Sequence, residues 1–94
     1  MARFDGQAAI VTGAGGEIGF AVANRLGREG ASILVVDKDR ERGETALARL
    51  REEGIDARLQ VGDVGDPAVA IAAVRDAIAA WGRIDELVNN AGGG

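Results

Sequence analysis

The chain has 94 residues, a net charge of −4 and no cysteine, histidine or tyrosine, which excludes several classes of site. Without these side chains there is no disulfide, no histidine-based acid–base or nucleophilic catalysis, and no tyrosine proton donor. The acidic balance argues against a nucleic-acid partner, which would require a basic face. No apolar run approaches the roughly 20 residues of a membrane span, and with no signal peptide we expect a cytoplasmic location.

The first two predicted elements are a strand and a helix. Residues 7–13, QAAIVTG, form an apolar run that glycine stops, as in a buried strand. Residues 18–29 place apolar side chains on one helical face, and Gly30 closes the segment. The predicted buried face consists of Ile18, Ala21, Val22, Ala23 and Leu26.

The middle of the chain predicts a strand, a helix and another strand. Residues 31–37, ASILVVD, are a continuous apolar run, which is typical of a strand covered on both faces. Residues 39–53 form a helix that Gly54 ends, and residues 55–61 alternate in polarity as a third strand does. The apolar stripe of this second helix consists of Ala46, Leu47 and Leu50.

The third helix, residues 66–82, carries the clearest start and stop signals. Asp66 is placed as its N-cap, Pro67 occupies the first helical position, and Gly82 ends it. Residues 84–92, IDELVNNAG, follow as a fourth strand and a turn. The predicted buried stripe of this helix consists of Ile71, Val74, Ile78 and Trp81.

This alternation of four strands and three helices predicts a doubly wound α/β unit of the Rossmann type. Because crossovers between parallel strands are right-handed, we expect a parallel sheet with strand order 3-2-1-4. The first two helices would cover one face of the sheet and the third helix the other.

A loop rich in glycine joins the first strand to the first helix. Its glycines are Gly13, Gly15, Gly16 and Gly19, and with Thr12 they fit the pattern T-G-x-x-x-x-x-G rather than G-x-G-x-x-G. Glycines at this place allow a tight turn and let the backbone approach a pyrophosphate at the helix N-terminus. An ordinary glycine-rich turn is the alternative.

Asp37 stands at the end of the second strand, where a carboxylate can accept hydrogen bonds from ribose hydroxyls. Without the glycine loop, a solvated strand-end carboxylate or a helix-initiating aspartate would be the better explanation. The same charge would repel a 2′-phosphate, although Lys38 and Arg40 nearby weaken that argument.

Two further motifs follow the third and fourth strands. Asp63 and Val64 lie in GDVGDP, where Asp63 either binds an adenine amino group or supports the cap at Asp66. Residues 88–93, VNNAGG, carry two amides and two glycines, and a plain turn would also account for them.

In this order and spacing, FDGQAAIVTGAGGEIG, LVVD, GDV and LVNNAG resemble the N-terminal half of a short-chain dehydrogenase/reductase. The resemblance implies that Asp37 holds the adenosine ribose and selects NAD over NADP, while Asn89 ties the fourth strand to its neighbours. It implies no metal site. The cofactor residues that it implies are Gly13, Gly15, Gly16, Ile18 and Gly19 at the pyrophosphate, Asp63 and Val64 at the adenine, and Asn90, Ala91 and Gly92 at the nicotinamide-side ribose.

The sequence departs from the family pattern in two places. Glu17 stands where the family usually has glycine, and we expect its carboxylate to point outward, since an acid in the first helical turn is favoured by the helix dipole. The family's Tyr-x-x-x-Lys pair and upstream serine belong to a second half that these 94 residues do not include.

We therefore expect residues 1–94 to be the cofactor-binding part of one Rossmann domain that lacks its catalytic half. The parent would be an NAD-dependent, homo-oligomeric oxidoreductase that moves a hydride between nicotinamide and an alcohol or carbonyl substrate. The chain alone would bind nucleotide without turnover. Two alternatives stay open, an S-adenosylmethionine-dependent methyltransferase domain and a short non-enzymatic nucleotide-binding or interaction protein.

Overall fold

The computed structural model describes residues 3–90, which alternate between strand and helix. In chain order the elements are β1 (Ala8–Thr12), α1 (Glu17–Arg28), β2 (Ser32–Asp37), α2 (Arg40–Glu52), β3 (Ala57–Val61), α3 (Pro67–Trp81) and β4 (Glu86–Asn89). All strands are parallel and lie in the order β3-β2-β1-β4, which confirms the predicted doubly wound sheet. Each strand lies inside its predicted range.

The strand register brings the carboxyl ends of the strands to one edge of the sheet. Thr12 of β1 lies opposite Val36 of β2 and Asn89 of β4. Asp37, the last residue of β2, lies opposite Val61 at the end of β3. The loops that leave these strands therefore begin side by side, where ligands bind in open parallel sheets.

The helices cover both faces of the sheet, as predicted. One buried cluster joins Ala23 of α1 and Leu50 of α2 to β1 and β2. A second cluster joins Ala73 and Ala77 of α3 to Ile10 and its neighbours on the opposite face. Every residue of β1 is buried, which agrees with the two-sided cover expected of a continuous apolar strand.

The sequence signals at the ends of α2 and α3 act as expected. Asp66 accepts a hydrogen bond from the Ala68 N–H at 2.9 Å, and Gly82 ends α3 in the left-handed conformation with φ 75°. Asp39 caps α2 by accepting from the Arg42 N–H at 3.1 Å. α1 differs, because its N-cap is Gly16 and no side chain caps it.

The predicted buried stripe of α3 is wrong in three of its four positions. Ile71, Val74 and Ile78 are 52%, 47% and 47% exposed, whereas Ala73 and Ala77 face the sheet. α3 is apolar on nearly its whole circumference, so periodicity alone does not identify the face that is buried. The small alanines let the helix lie close to a sheet surface that Ile10, Leu34 and Val36 already fill.

The predicted face of α1 also needs correction at its first turn. Ile18 is 72% exposed and Ala21 is exposed, while Gly19 and Ala23 are buried. Gly19 packs against the glycine loop, whereas Ala23, one turn later, packs against the sheet. Among residues 3–90, every helix falls short of the length and apolarity that crossing a membrane requires.

Candidate functional site

The loops at the carboxyl edge of the sheet enclose a cleft of about 570 Å³, which we call the carboxyl-edge cleft. It lies where β1, β2, β3 and β4 end, so each loop contributes to its lining. The predicted site residues that line it are Gly13, Gly16, Asp37, Asp63, Val64 and Asn90.

The remaining predicted residues lie elsewhere. Gly15 lines a neighbouring cleft of about 540 Å³ between α1 and α2, which we call the helix-pair cleft. Gly19 is buried beneath the glycine loop, and Ile18 is exposed and lines neither cleft. Ala91 and Gly92 fall outside the described residues.

The glycines of the loop serve different structural purposes. Gly13 adopts φ 67°, the left-handed conformation that favours glycine, and its N–H donates to the Val36 carbonyl at 2.7 Å. A Cβ on Gly19 would collide with the Gly13 carbonyl oxygen, so glycine there lets α1 approach the loop. Sequence reasoning assigned these glycines to a pyrophosphate and did not anticipate this packing.

Gly15 is enclosed from the side of α2. A Cβ at Gly15 would lie 2.5 Å from Oδ2 of Asp37 and 2.8 Å from Cβ of Arg42. A Cβ at Gly16, by contrast, would meet the Nη2 atom of Arg42 at 3.0 Å, the far end of a flexible side chain. Gly15 is thus required by packing, whereas a methyl group at Gly16 would need only a small shift of the Arg42 side-chain end.

The N-terminus of α1 presents backbone donors at this loop. The Gly16 N–H donates to the Gly13 carbonyl at 3.0 Å, but the next three N–H groups, of residues 17–19, take no acceptor within residues 3–90. In α2 and α3 the side chain of an N-cap aspartate accepts from one of the corresponding N–H groups. Uncapped N–H groups at the positive end of a helix dipole suit an anion such as phosphate.

Glu17 lies on the outer side of this turn, as expected. Its side chain is exposed and lines the helix-pair cleft, and it is absent from the lining of the carboxyl-edge cleft. A first-turn acid is stabilised by the helix dipole in that position. The carboxylate therefore does not occupy the space in which a phosphate would meet the loop.

Asp37 is 6% exposed and uses both carboxylate oxygens. Oδ2 accepts from the Gly15 N–H at 2.9 Å, and Oδ1 accepts from the Asp39 N–H at 2.9 Å. The side chain thereby ties the glycine loop to the end of β2 and to the start of α2. Each oxygen keeps a second lone pair, so these bonds leave acceptors for a ribose hydroxyl.

A buried threonine joins the ends of β1 and β4. The Thr12 hydroxyl donates to Oδ1 of Asn89 at 3.0 Å and accepts from the Asn90 N–H at 2.9 Å. Asn89 thus lies at the junction between neighbouring strands, where the family resemblance placed it. The sequence named Thr12 only as part of a glycine motif, and this contact fixes the backbone of Asn90 at the edge of the cleft.

Asp63 shapes the turn before α3, which is one of the two roles that the sequence left open. Its Oδ1 accepts from the Gly65 N–H at 2.9 Å, and its carbonyl accepts from the Asp66 N–H at 2.9 Å, so it shapes the turn before α3. The exposed side chain also lines the carboxyl-edge cleft beside Val64. Within residues 3–90, no cluster of acidic side chains could hold a metal ion.

Arg42 is a residue of this region that sequence reasoning missed. It lies in the first turn of α2 and lines both clefts, with Nη2 above Gly16. Lys38 also lines the carboxyl-edge cleft, whereas Arg40 lines neither and pairs with Glu44 at 3.7 Å. The sequence feature that could have identified Arg42 is its position shortly after Asp37, in the first turn of the next helix.

Comparisons with known proteins agree with this geometry. A family model described as short chain dehydrogenase matches residues 7–94. The chain is 46% identical over 86 residues to an uncharacterized oxidoreductase of Bacillus subtilis, and 42% identical over 91 residues to galactitol 2-dehydrogenase of Rhizobium johnstonii. These alignments cover 92% and 96% of this chain and 34% and 35% of the relatives.

Two solved structures are similar in both fold and sequence. An NAD⁺-bound xylitol dehydrogenase superposes with a TM-score of 0.85 at 44% identity, covering 90% of this chain and 33% of its own. An actinorhodin polyketide ketoreductase with NADPH superposes with a TM-score of 0.89 at 40% identity, covering 98% and 35%. The chain therefore spans about a third of the length of the proteins that it matches.

Proposed function

The chain belongs to the short-chain dehydrogenase/reductase family, and from this premise we propose that the carboxyl-edge cleft binds the nucleotide part of NAD. The observation that carries the proposal is the meeting of uncapped α1 N–H groups and the Asp37 carboxylate at one edge of the sheet. The first supplies donors for a pyrophosphate, and the second supplies acceptors for ribose hydroxyls.

The other lining residues fit the remaining parts of the nucleotide. Asp63 and Val64 would flank the adenine, since Asp63 offers an acceptor and Val64 an apolar surface at the end of β3. Asn90, with Ala91 and Gly92 after it, would line the ribose on the nicotinamide side. The pyrophosphate would lie beside Gly16, which lines the cleft at the uncapped start of α1.

NAD rather than NADP is our proposal for the preferred cofactor. The two similar solved structures contain NAD⁺ in one case and NADPH in the other, so membership of the family does not decide between NAD and NADP. The Asp37 carboxylate would repel a 2′-phosphate, and two unit charges about 4 Å apart interact by about 4 kcal/mol at an effective dielectric of 20.

Replacing Asp37 with Ser should therefore lower the kcat/KM of the parent enzyme for NAD and raise its kcat/KM for NADP. The ratio of the two values is the measurement. An unchanged ratio would refute the role of Asp37.

The parent protein would be an oxidoreductase in which the nicotinamide accepts or donates a hydride at an alcohol or carbonyl carbon. The residues of this chain bind and orient the nucleotide, and none of them is assigned to catalysis. We also propose a homo-oligomeric parent in the cytoplasm. Nothing observed favours a methyltransferase or a non-enzymatic interaction protein.

Calorimetric titration of the chain with NAD and with S-adenosylmethionine tests the binding proposal, and we expect heat of binding with NAD alone. Gly16→Asp is the informative variant, because an N-cap aspartate suits the φ of −84° at this position and would stabilise α1. It would also occupy the N–H groups with a negative charge, so NAD binding should be lost while folding persists. Gly16→Ala is the matched control and should still bind. Binding of NAD by Gly16→Asp would contradict the assigned phosphate site.

We expect no turnover by the chain alone, because it contains no tyrosine and spans a third of its relatives' length. Positioned acid–base catalysis contributes about 10²–10⁴-fold, so its loss alone would lower the rate by that factor. Absorbance at the NADH band with NAD and secondary alcohols is the measurement. NADH formation by the purified chain would refute this part of the proposal.

A further inference from the structure

The N-terminal turn, residues 4–7, holds the one aspartate of the chain that glycine follows. The Gln7 N–H donates to the Phe4 carbonyl at 3.0 Å, and Gly6 adopts φ 82°. Every described residue other than glycine has a negative φ, so Asp5 and Gly6 are the central residues of a type II turn. A rigid turn thus contains the most reactive dipeptide that an aspartate can form.

Both ends of the N-terminal turn are attached to the fold. The Phe4 N–H donates to the Glu29 carbonyl at 2.7 Å, and the Phe4 side chain packs against the buried cluster that lies under α1 and α2. Gln7 leads into β1, and its carbonyl accepts from the Ser32 N–H at 2.9 Å. A change in backbone length between these ends must therefore be taken up by the two central residues.

The two groups that would react at this turn have no partner within residues 3–90. The Asp5 carboxylate is exposed and accepts no hydrogen bond there, and the Gly6 N–H takes no acceptor. A Cβ at Gly6 would meet nothing within 4 Å, so the space beside its nitrogen is open. The other aspartates each accept at least one hydrogen bond through the carboxylate; they are Asp37, Asp39, Asp56, Asp63, Asp66, Asp76 and Asp85.

We propose that Asp5–Gly6 is a modification site, at which the backbone isomerises spontaneously from aspartate to isoaspartate through a succinimide. The Gly6 nitrogen attacks Cγ of the Asp5 carboxyl, an N–Cγ bond forms, and the carboxyl hydroxyl leaves as water with the amide hydrogen. Water then adds to one of the two ring carbonyls. Cleavage of the new N–Cγ bond restores aspartate, whereas cleavage of the original peptide bond leaves a backbone that runs through Cβ and Cγ.

The structure sets two opposing influences on this reaction. Glycine favours ring closure, because it has no side chain to shield the attacking nitrogen. The folded turn opposes it, because the ψ of Asp5 in a type II turn directs the Gly6 nitrogen away from the aspartate side chain. The reaction therefore requires opening of the hydrogen bond between Gln7 and Phe4. A single exposed backbone hydrogen bond opens at a small cost in free energy.

The product would alter the start of β1. Isoaspartate adds one carbon to the backbone between Phe4 and Gln7, which are both held by other contacts. We expect the hydrogen bond between these two residues to be lost in the product. The modification thus changes the attachment of the N-terminal turn to α1 and lies apart from the residues that line the carboxyl-edge cleft.

The test follows the reaction in the purified chain, incubated in neutral buffer and digested with trypsin. The tryptic peptide 4–25 contains Asp5 as its only aspartate. Isoaspartate gives a second chromatographic peak of equal mass, and the succinimide gives a peak lighter by one water. Methyl transfer by an isoaspartate-specific carboxyl methyltransferase identifies the second peak. Asp5→Glu is the matched control, because it keeps the charge but would have to close a larger ring, and it should give no second peak.

A synthetic peptide of residues 3–8 gives the rate without the folded turn. We expect the peptide to isomerise about 2–10-fold faster than the folded chain, the factor that corresponds to the net contribution of one backbone hydrogen bond. Equal rates would show that the turn does not restrain the reaction.

Two results would overturn the proposal itself. One is the absence of isoaspartate at Asp5 in the folded chain after about 10 times the half-time of the peptide. The other is faster isomerisation at an aspartate whose carboxylate is hydrogen-bonded. Neither result depends on nucleotide binding, so the proposed function would stand in both cases.

Discussion

At the end of β2, the carboxylate of Asp37 accepts two backbone N–H groups that belong to different segments, the glycine loop and the start of α2. The proposed ribose contact therefore uses a group that the fold has already oriented. Because the side chain is buried and held by two donors, a ligand would meet it with little loss of side-chain freedom. The same bonds explain why glycine is needed at position 15.

A pair of adjacent substitutions separates packing from ligand contact in the loop. Gly15→Ala would place a methyl group against Asp37 Oδ2 and Arg42 Cβ, and we expect a loss of about 1–3 kcal/mol in the free energy of unfolding, as in other overpacked sites. The methyl group of Gly16→Ala would meet the flexible end of Arg42 at 3.0 Å and the Gly13 carbonyl oxygen at an ordinary contact distance of 3.5 Å. Its change in unfolding free energy should therefore stay within about 0.5 kcal/mol. Urea unfolding followed by Trp81 fluorescence measures both. Equal losses would show that Asp37 and Arg42 do not enclose Gly15.

Asp85 makes a pH-dependent contact between the start of β1 and the segment before β4. The guanidinium of Arg83 and the Ala8 N–H donate to it, at 2.6 Å and 2.8 Å, and together they hold the pKa of the carboxyl below its ordinary value of 3.8. A lowered pKa means that the stabilisation is complete above the ordinary value and is lost as the pH falls through the folded-state pKa.

The matching prediction concerns the difference in stability between the unmodified chain and Asp85→Asn. We expect this difference to be constant near neutral pH and to shrink as the pH falls below about 4, where the carboxylate of the unmodified chain takes up a proton. Asp5→Asn removes a charge from an exposed side chain and serves as the control. Urea midpoints measured across this pH range give the result, and a difference that grows on acidification would contradict it.

At the scale of elements, α3 shows why apolar periodicity can predict the wrong buried face of a helix. The helix has two apolar faces, one with Ala73 and Ala77 and the other with Ile71, Val74 and Ile78. The second face was predicted to meet the sheet because its larger apolar side chains recur at helical spacing. Ala73 and Ala77 pack on the bulky residues of β1 and β2, with Val69 and Trp81 partly buried beside them. Ile71, Val74 and Ile78 remain exposed.

Substitutions on the two faces of α3 test this arrangement. Ala77→Leu adds volume at a fully buried position against the sheet and should cost about 1–3 kcal/mol of unfolding free energy. Ile78→Ala removes a half-exposed side chain and favours the helix, so its effect should stay within about 0.5 kcal/mol. Thermal and urea unfolding at low protein concentration give the ranking. The reverse ranking would mean that the isoleucine face packs on the sheet.

For the whole molecule, the alternation of strands and helices and the handedness of crossovers predict the strand order. They also predict that the loops after the strands lie together at the carboxyl edge of the sheet. The residues at strand ends, such as Asp37 and Asn89, could be placed because register aligns those ends. The contact of Arg42 with Gly15 and Gly16 could not be predicted, since it depends on how closely α2 approaches the loop. The buried face of α3 could not be predicted either, because it depends on the volume that the side chains of Ile10, Leu34 and Val36 occupy on the sheet.

The two edges of the sheet differ in how they meet solvent. At the β3 edge, Arg51 donates to the Ala57 carbonyl at 2.9 Å, and Arg58 pairs with Asp76 at 2.8 Å, so charged side chains cover part of the strand. At the other edge, β4 pairs with β1 alone among the described strands and exposes 67% of Leu87. An apolar edge without Pro or Lys favours pairing with another strand.

We predict that the chain self-associates at micromolar concentration, because the exposed face of α3 and the β4 edge are both apolar. Size-exclusion chromatography with light scattering should give a dimer or a larger species. Leu87→Lys places a charge on the open edge and should shift the distribution towards monomer. Ala48→Lys adds the same charge at an exposed position of α2 and should leave the distribution unchanged. A monodisperse monomer that unfolds cooperatively would contradict the prediction, and it would mean that an unpaired β4 edge and an exposed isoleucine face are compatible with a stable isolated sheet.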